Sequence, residues 1–310
     1  MLSPAGHQAR LSILIFHRVH RVPDPMFPGE VDAQSFDAIC AWVARWFNVL
    51  PLDQAVKRLQ DGSLPAASMA ITFDDGYADN HDVAMPILQR HGLSATFFIA
   101  TGYLDGGRMW NDTVIESIRG TRLTSLDLGT LDVDGLQAVP TADWPQRRAA
   151  VAQVLSKVKY LPPERRQQVV DRMARLSGAA MPDDLMMSTA QLQAMHRGGM
   201  QIGAHTVTHP ILANLALEAA RAEIGQSRDR LQALLQDRIG LFAYPNGVPG
   251  RDFKTEHPEL VKQLGMDAAV TTASGHSTAS TDVFQLRRFS PWDRSKGRFA
   301  LRLMQNLRAR

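Results

Sequence analysis

The chain has 310 residues, 45% of them apolar, and a formal net charge of +3. An ordinary core can form and the length suits one or two domains. The 34 basic residues are interleaved with 31 acidic ones, which excludes a nucleic-acid binder working by charge alone. The single cysteine, Cys40, excludes an intramolecular disulfide, and its neighbours in FDAICAWVARWF mark it as a core residue on a helix.

The first apolar run, Leu11–Phe16 (LSILIF), is too short to cross a membrane and has no small-residue cleavage site after it. It reads as a buried strand, and with no signal peptide evident the expected location is cytoplasmic. A helical pattern follows at Phe36–Phe47. Met69–Phe73 (MAITF) reads as a strand, Val83–His91 as a helix and Ala95–Ala100 (ATFFIA) as a strand. Further strands are expected at Met200–His205, Leu241–Tyr244, Ala268–Thr272 and Phe284–Phe289, with an amphipathic helix at Leu217–Gln236. The runs are continuously apolar, as in parallel strands buried on both faces. Repeated β–α units of this number imply a parallel barrel or a doubly wound sheet.

Residues 120–187 break the rhythm. They hold a short hairpin pattern (LDLGTLDVDG) and helical patterns at Gln146–Lys159 and Pro163–Leu176. This reads as an insertion over one end of the sheet, a lid, a partner surface or a cap. The tail, residues 294–310, is basic and amphipathic, with Phe299, Leu303 and Leu307 on one face. It either docks on the body or attaches peripherally to anionic lipid, which would bring the protein to the inner face of a membrane.

The chemistry concentrates in two short stretches. ITFDDGYADN places Asp74 and Asp75 together at the end of a buried strand, where two like charges repel unless a cation or a shared proton intervenes. AHTVTHP supplies His205 and His209. Thr206, Val207 and Thr208 are poor helix formers and Pro210 disfavours helical geometry before it, so the pair belongs on a turn leaving a strand. Both stretches follow buried strands, where a parallel α/β fold gathers its active-site loops. Two histidines and one carboxylate hold a metal while leaving positions open, which marks a catalytic site. The second carboxylate then serves as general base.

TFDDG (Thr72–Gly76) and HTVTH (His205–His209) resemble the first two motifs of the polysaccharide deacetylase family, the NodB homology domain or carbohydrate esterase family 4. The likeness runs from about Leu11 to Phe289, with 120–187 the least typical part. It implies a single catalytic domain over 1–310, a distorted (β/α) barrel of seven parallel strands with a mainly helical insertion. It implies a divalent metal, most commonly zinc, on Asp75, His205 and His209, and Asp74 as the base. The reaction implied is hydrolysis of N-acetyl groups on an amino-sugar glycan or glycan precursor.

Two departures stand out. Where many members carry Arg-x-Pro-Tyr, this chain has Ala243, Tyr244, Pro245 and Asn246. The Asn246 backbone N–H can still serve an oxyanion beside Pro245, but the partner of Asp74 is open, with Arg287 and Arg288 the weak candidates. The late Leu-x-His motif is also absent. His17, at the end of ILIFHRVH, resembles the early acid of the circularly shifted poly-N-acetylglucosamine deacetylases, with His20 a lesser substitute. Trp110 and Asn111 are candidate sugar contacts, and Tyr77 and Asn80 candidate rim residues. His81, His91, His196, His257 and His276 have no partner at ligand spacing. Two alternatives remain: hydrolysis of another small amide (a cyclic ureide or formamide), and a non-catalytic saccharide-binding protein.

Overall fold

A computed structural model describes residues 3–290, 293 and 295–308. Its strands are β1 (Ser12–Phe16), β2 (Asn48–Val49), β3 (Ser68–Phe73), β4 (Thr96–Ile99), β5 (Ser125–Asp127), β6 (Ala138–Pro140), β7 (Gln201–Ala204), β8 (Leu241–Ala243), β9 (Ala268–Ser274) and β10 (Leu286–Arg288). Seven of them run parallel in the order β1-β3-β4-β7-β8-β9-β10, and short β2 lies beside β3. The ring closes between its ends: Phe289 donates its N–H to the Ile13 carbonyl at 2.7 Å, and Ile15 donates to the Phe289 carbonyl at 3.1 Å. This is the expected distorted (β/α) barrel, with β1 where the Leu11–Phe16 run placed a strand.

Strand side chains alternate in direction, and here both sets are buried. Leu14, Phe16, Ile71, Phe73, Phe97, Ile99, Ile202 and Phe242 pack in one core with residues of the surrounding helices. The alternate set, Ile13, Ala70, Phe98, Leu241, Ala243, Val270 and Leu286, forms a second core. Burial on both faces explains why the runs are continuously apolar. Gly203 belongs to this second set, and a Cβ there would come within 2.5 Å of the Phe98 ring.

Ten helices surround these strands or build the second unit among the described residues: α1 (Ala33–Trp46), α2 (Leu52–Gln60), α3 (Met85–Arg90), α4 (Trp110–Gly120), α5 (Trp144–Val158), α6 (Pro163–Ser177), α7 (Thr189–Arg197), α8 (Leu217–Leu235), α9 (Glu256–Gln263) and α10 (Lys296–Arg308). Helix α1 starts at a capping box, in which Asp32 accepts from the Ser35 N–H at 2.7 Å and Ser35 Oγ accepts from the Asp32 N–H at 3.0 Å. Its buried stripe includes Cys40, whose thiol pKa burial drives upward, so the thiol is inert. Helix α2 joins the second core, and the Leu52 N–H at its start reaches the Gln201 side chain at 3.1 Å, at the N-terminal end of β7. The opposite, C-terminal strand ends carry Asp74, His205 and Arg288. Helix α10 docks through Phe299, Leu303 and Leu307, and the Phe299 ring lies 5.6 Å from Trp42 and 6.3 Å from Trp46. Among the described residues no helix is long and apolar enough to cross a membrane.

The chain forms two compact units. The second comprises Pro23–Gly29 and Gly106–Met186, and everything else belongs to the first. The second unit therefore begins before residue 120 and takes in helix α4. Pro23–Gly29 joins it because the Asp24 carboxylate receives two bonds from Arg119, at 2.9 and 2.7 Å, and Met26 is buried in that unit's core. Both helices expected there are present as α5 and α6, but the hairpin differs: β5 pairs antiparallel with β6 beyond the end of LDLGTLDVDG, and Gly129–Leu131 inside that stretch forms a 3-10 turn.

Candidate active site

The site begins with strand alternation. Ala70 and Thr72 belong to one face of β3, so Asp74 follows on that face. On β10, Leu286 and Arg288 share a face in the same way. Their meeting satisfies both charges: Arg288 donates to Asp74 Oδ1 and Oδ2, both at 2.7 Å. The guanidinium also donates to the Thr271 carbonyl at 2.8 Å and to Thr72 Oγ1 at 3.2 Å. Arg288 and Asp74 are 1% and 2% exposed, so this is a dry, two-pronged ion pair. Burial alone would raise the Asp74 pKa. The charge of Arg288, followed by that of His205 and the Arg288 hydrogen bonds, outweighs it and holds the carboxyl ionised below its ordinary value.

Asp75 faces another way because its backbone is left-handed, at φ 78°. Asp tolerates this region better than most residues. Gly76 follows at φ 90°, where a Cβ would also meet the Ile99 side chain at 3.3 Å. The double reversal turns Asp75 toward the histidines, and its Oδ1 lies 3.4 Å from Nε2 of both His205 and His209. The three donor atoms lie within 4.8 Å of one another. Asp75 Oδ1 is buried and has no hydrogen-bond partner among the described residues. A buried carboxylate oxygen left unpaired beside two imidazole nitrogens is what a divalent cation would satisfy, and two nitrogens with one oxygen suit zinc among others.

The histidine loop is shaped for the same purpose. Thr206 and His209 are both left-handed, at φ 66° and 53°, so the segment turns out of β7 instead of continuing as a helix. Such strain is held in place by its surroundings at functional sites. His205 Nδ1 donates to the Ala243 carbonyl at 2.8 Å, which fixes the tautomer and leaves Nε2 as the free donor. From helix α8, Glu223 accepts the Val207 and Thr208 N–H groups, each at 2.8 Å, and the Thr208 hydroxyl at 2.7 Å. Burial pulls the His209 pKa down to about 4, keeping it neutral at pH 7. Burial also pulls His205 down, but the Asp75 contact and the charges of Asp74 and Asp75 prevail and raise it. Burial opposes ionisation of Asp75 too, yet the close His205 ring, followed by the electrostatic influence of the other histidines around it, holds its pKa well below the usual range.

His17 follows β1. Its side chain is exposed and lies within electrostatic reach of Asp74, Asp75 and His209. His20 contacts Glu30 at 2.5 Å. Pro245 is buried, and Asn246 adopts φ 59° with its carbonyl taking the Thr272 hydroxyl at 2.7 Å. Tyr77 is buried under the Arg18 guanidinium, 4.6 Å from its ring centre, so it does not form an exposed rim. Asn80 is fully buried. Trp110 and Asn111 open helix α4 in the second unit, where Arg166 lies 4.7 Å over the Trp110 ring. The other histidines have structural contacts: His81 with Asp82, His91 with Asp37, His196 with Asp237, and His276 with the Asn306 carbonyl. His257 is buried in α9.

Sequence reasoning undervalued Arg288 and missed Glu223. Of the two weak candidates for the partner of Asp74, alternation selects one: Arg287 is exposed and Arg288 buried. Leu286 in the barrel core was the available signal, since an arginine two residues later points to the same side. Glu223 gave none, because a glutamate on a helix is ordinarily a solvated residue.

A family model described as polysaccharide deacetylase matches residues 61–126 and 164–269. YxkH of Bacillus subtilis (strain 168), whose name assigns it to the polysaccharide deacetylases, is 30% identical over 93 residues. That match covers 29% of this chain and 32% of YxkH, so about a third of the curated relative's length is spanned. Among solved structures, the Streptococcus pyogenes deacetylase PplD in complex with acetate superposes with a TM-score of 0.64 at 19% identity, covering 96% of this chain and 98% of PplD. IcaB from Ammonifex degensii gives 0.60 at 16% identity and 99% coverage of both chains. A de-N-acetylase from Aggregatibacter actinomycetemcomitans gives 0.59 at 15% identity, covering 95% of this chain and 99% of the other. At these identities the structural likeness establishes the fold.

Proposed function

The chain belongs to the polysaccharide deacetylase family, and from its site we propose that it hydrolyses N-acetyl groups of an amino-sugar glycan or glycan precursor. The observation that carries this reading is Asp74, buried and kept ionised by two bonds from Arg288, beside the Asp75–His205–His209 donor set. A base without a proton next to a cation site is the requirement for hydrolysing an unactivated amide.

In this reading Asp75, His205 and His209 would hold a divalent cation, zinc by their donor set, which when bound would supply Lewis acidity for the acyl oxygen and water. Asp74 takes the proton of the attacking water. Arg288 fixes the direction of the carboxylate and keeps it charged in a dry setting. The Asn246 N–H has no acceptor among the described residues and is assigned to the developing oxyanion beside Pro245. His17 gives its proton to the sugar nitrogen as the carbon–nitrogen bond breaks, so acetate and a free amine leave. Trp110 and Asn111 stay proposed sugar contacts, carried by residue type alone.

Acetate release from N-acetylglucosamine oligomers tests the reading, with chelator-stripped protein compared with the same sample after zinc is restored. Zinc-dependent release is the expected outcome. No release with zinc bound would sink this substrate class and turn attention to smaller amides. For the tail, the exposed side of α10 presents Lys296, Arg298 and Arg308 beside Leu301 and Met304. That pattern supports peripheral contact with anionic lipid, which co-sedimentation with phosphatidylglycerol vesicles would detect.

A further inference from the structure

The stretch that carries Asp74 and Asp75 continues as Tyr77, Ala78, Asp79 and Asn80, and the proposed mechanism leaves Asp79 and Asn80 without a task. Their polar atoms go to the segment leaving β1. Asn80, fully buried, donates from Nδ2 to the His17 carbonyl at 2.9 Å. Asp79 Oδ1 accepts the Val19 N–H at 3.2 Å, and its Oδ2 accepts from Arg18 Nε at 2.8 Å. One residue earlier, the Asp74 N–H goes to the Phe16 carbonyl at 3.0 Å. The backbone around His17 is thus tied at three points, all by residues of the motif that supplies the base and a metal ligand. The His17 ring has no hydrogen-bond partner of its own among the described residues, so the backbone carries the burden of aiming it. Asn80 also opens a π-helical turn, Asn80–Ala84, a local irregularity that recurs at functional sites.

We propose that Asp79 and Asn80 are positioning residues for His17, holding the proton donor in register with the base and metal ligands. The proposal rests on the reading of His17 as general acid. A misplacement of about 1 Å can cost on the order of a hundredfold in rate, and a backbone tie is the economical way to prevent it for an exposed side chain.

Leaving groups separate this role from a merely structural one. Amide cleavage needs a proton delivered to nitrogen as the bond breaks, whereas an aryl acetate expels a stable phenolate without one. Asn80→Ala and Asp79→Ala are compared with the parent protein on N-acetylglucosamine oligomers and on 4-nitrophenyl acetate, with zinc content checked. The expected result is a fall of about ten- to a hundredfold in kcat on the oligomer, with its KM and the ester rate within about threefold of the parent. His17→Ala should lower the amide-to-ester ratio further, by about 10²–10⁴, and adding Asn80→Ala to it should lower the ratio no more. Equal losses on amide and ester in the Asp79 and Asn80 variants, with His17→Ala still selective, would overturn the positioning role. Equal losses in His17→Ala itself would overturn the acid assignment on which the proposal stands. Should Asn80→Ala fail to fold, Asp79→Ala, at a less buried position, carries the same ratio test.

Discussion

Removing the Arg288 guanidinium would deprive buried Asp74 of its main counter-charge and of the 2.7 Å bonds to both carboxylate oxygens. Breaking such a pair by deleting one partner destabilises by about 3–5 kcal/mol, because the surviving charge loses its compensation. Arg288→Ala is therefore expected to lower the melting temperature. It should also cut turnover by about a hundredfold or more, because the Asp74 pKa rises once the largest effect opposing burial is gone and the proposed base no longer has a fixed direction. Zinc should still bind, since Asp75, His205 and His209 are untouched. Arg288→Lys should rescue little, because an ammonium cannot make both bonds while also reaching the Thr271 carbonyl. A melt, a metal assay and acetate release on the same samples check all three expectations. The same pair gives Asp74 a guanidinium partner from β10, although the chain has Ala243 where the Arg-x-Pro-Tyr pattern would put an arginine at the end of β8.

At the scale of elements, the loop between the two histidines owes its shape to helix α8. Glu223 holds three donors of that loop, and the loop contains two left-handed non-glycine residues that would relax without support. Glu223→Ala should weaken zinc binding by about ten- to a hundredfold, the range found when outer partners of metal ligands are lost. The fold should survive, since Glu223 is not a core residue and the α8 core contacts Ala220, Ile224 and Leu231 remain. Competition with a fluorescent chelator would read the affinity, and circular dichroism the fold. Unchanged affinity would show that the β7 strand end alone sets the His205–His209 geometry.

For the molecule as a whole, the two units answer to different chemistry. The second unit holds Pro23–Gly29 through the Asp24–Arg119 pair. Burial raises the Asp24 carboxyl, but the Arg119 hydrogen bonds and charge and the Met26 and Phe27 N–H groups lower it from 3.8 to about 2. A carboxyl depressed in the folded state stabilises it fully above the unfolded value. That contribution is lost as pH falls from about 4 to about 2. Hydrogen-exchange protection across 106–186, taken relative to the intrinsic rate at each pH, should therefore fall in that window, and Asp24→Asn should flatten the dependence. The sequence by itself determined a parallel β/α sheet, because continuous apolar runs at β–α spacing suit strands covered on both sides, and the likeness of its motifs to a known family chose the barrel over a doubly wound sheet. It also pointed to the candidate metal donors: two short local motifs offered a pair of aspartates and a pair of histidines, and the family likeness singled out Asp75 beside His205 and His209. The tertiary structure decided the rest. Arg288 meets Asp74 across more than two hundred residues of sequence, and Glu223 meets the histidine loop from a helix whose pattern only reports burial. Pro23–Gly29 joins a unit whose other residues begin at Gly106. Local pattern encodes which residues face inward and what each can do, whereas pairing between distant charges depends on strand order and register, which exist only once the ring has closed.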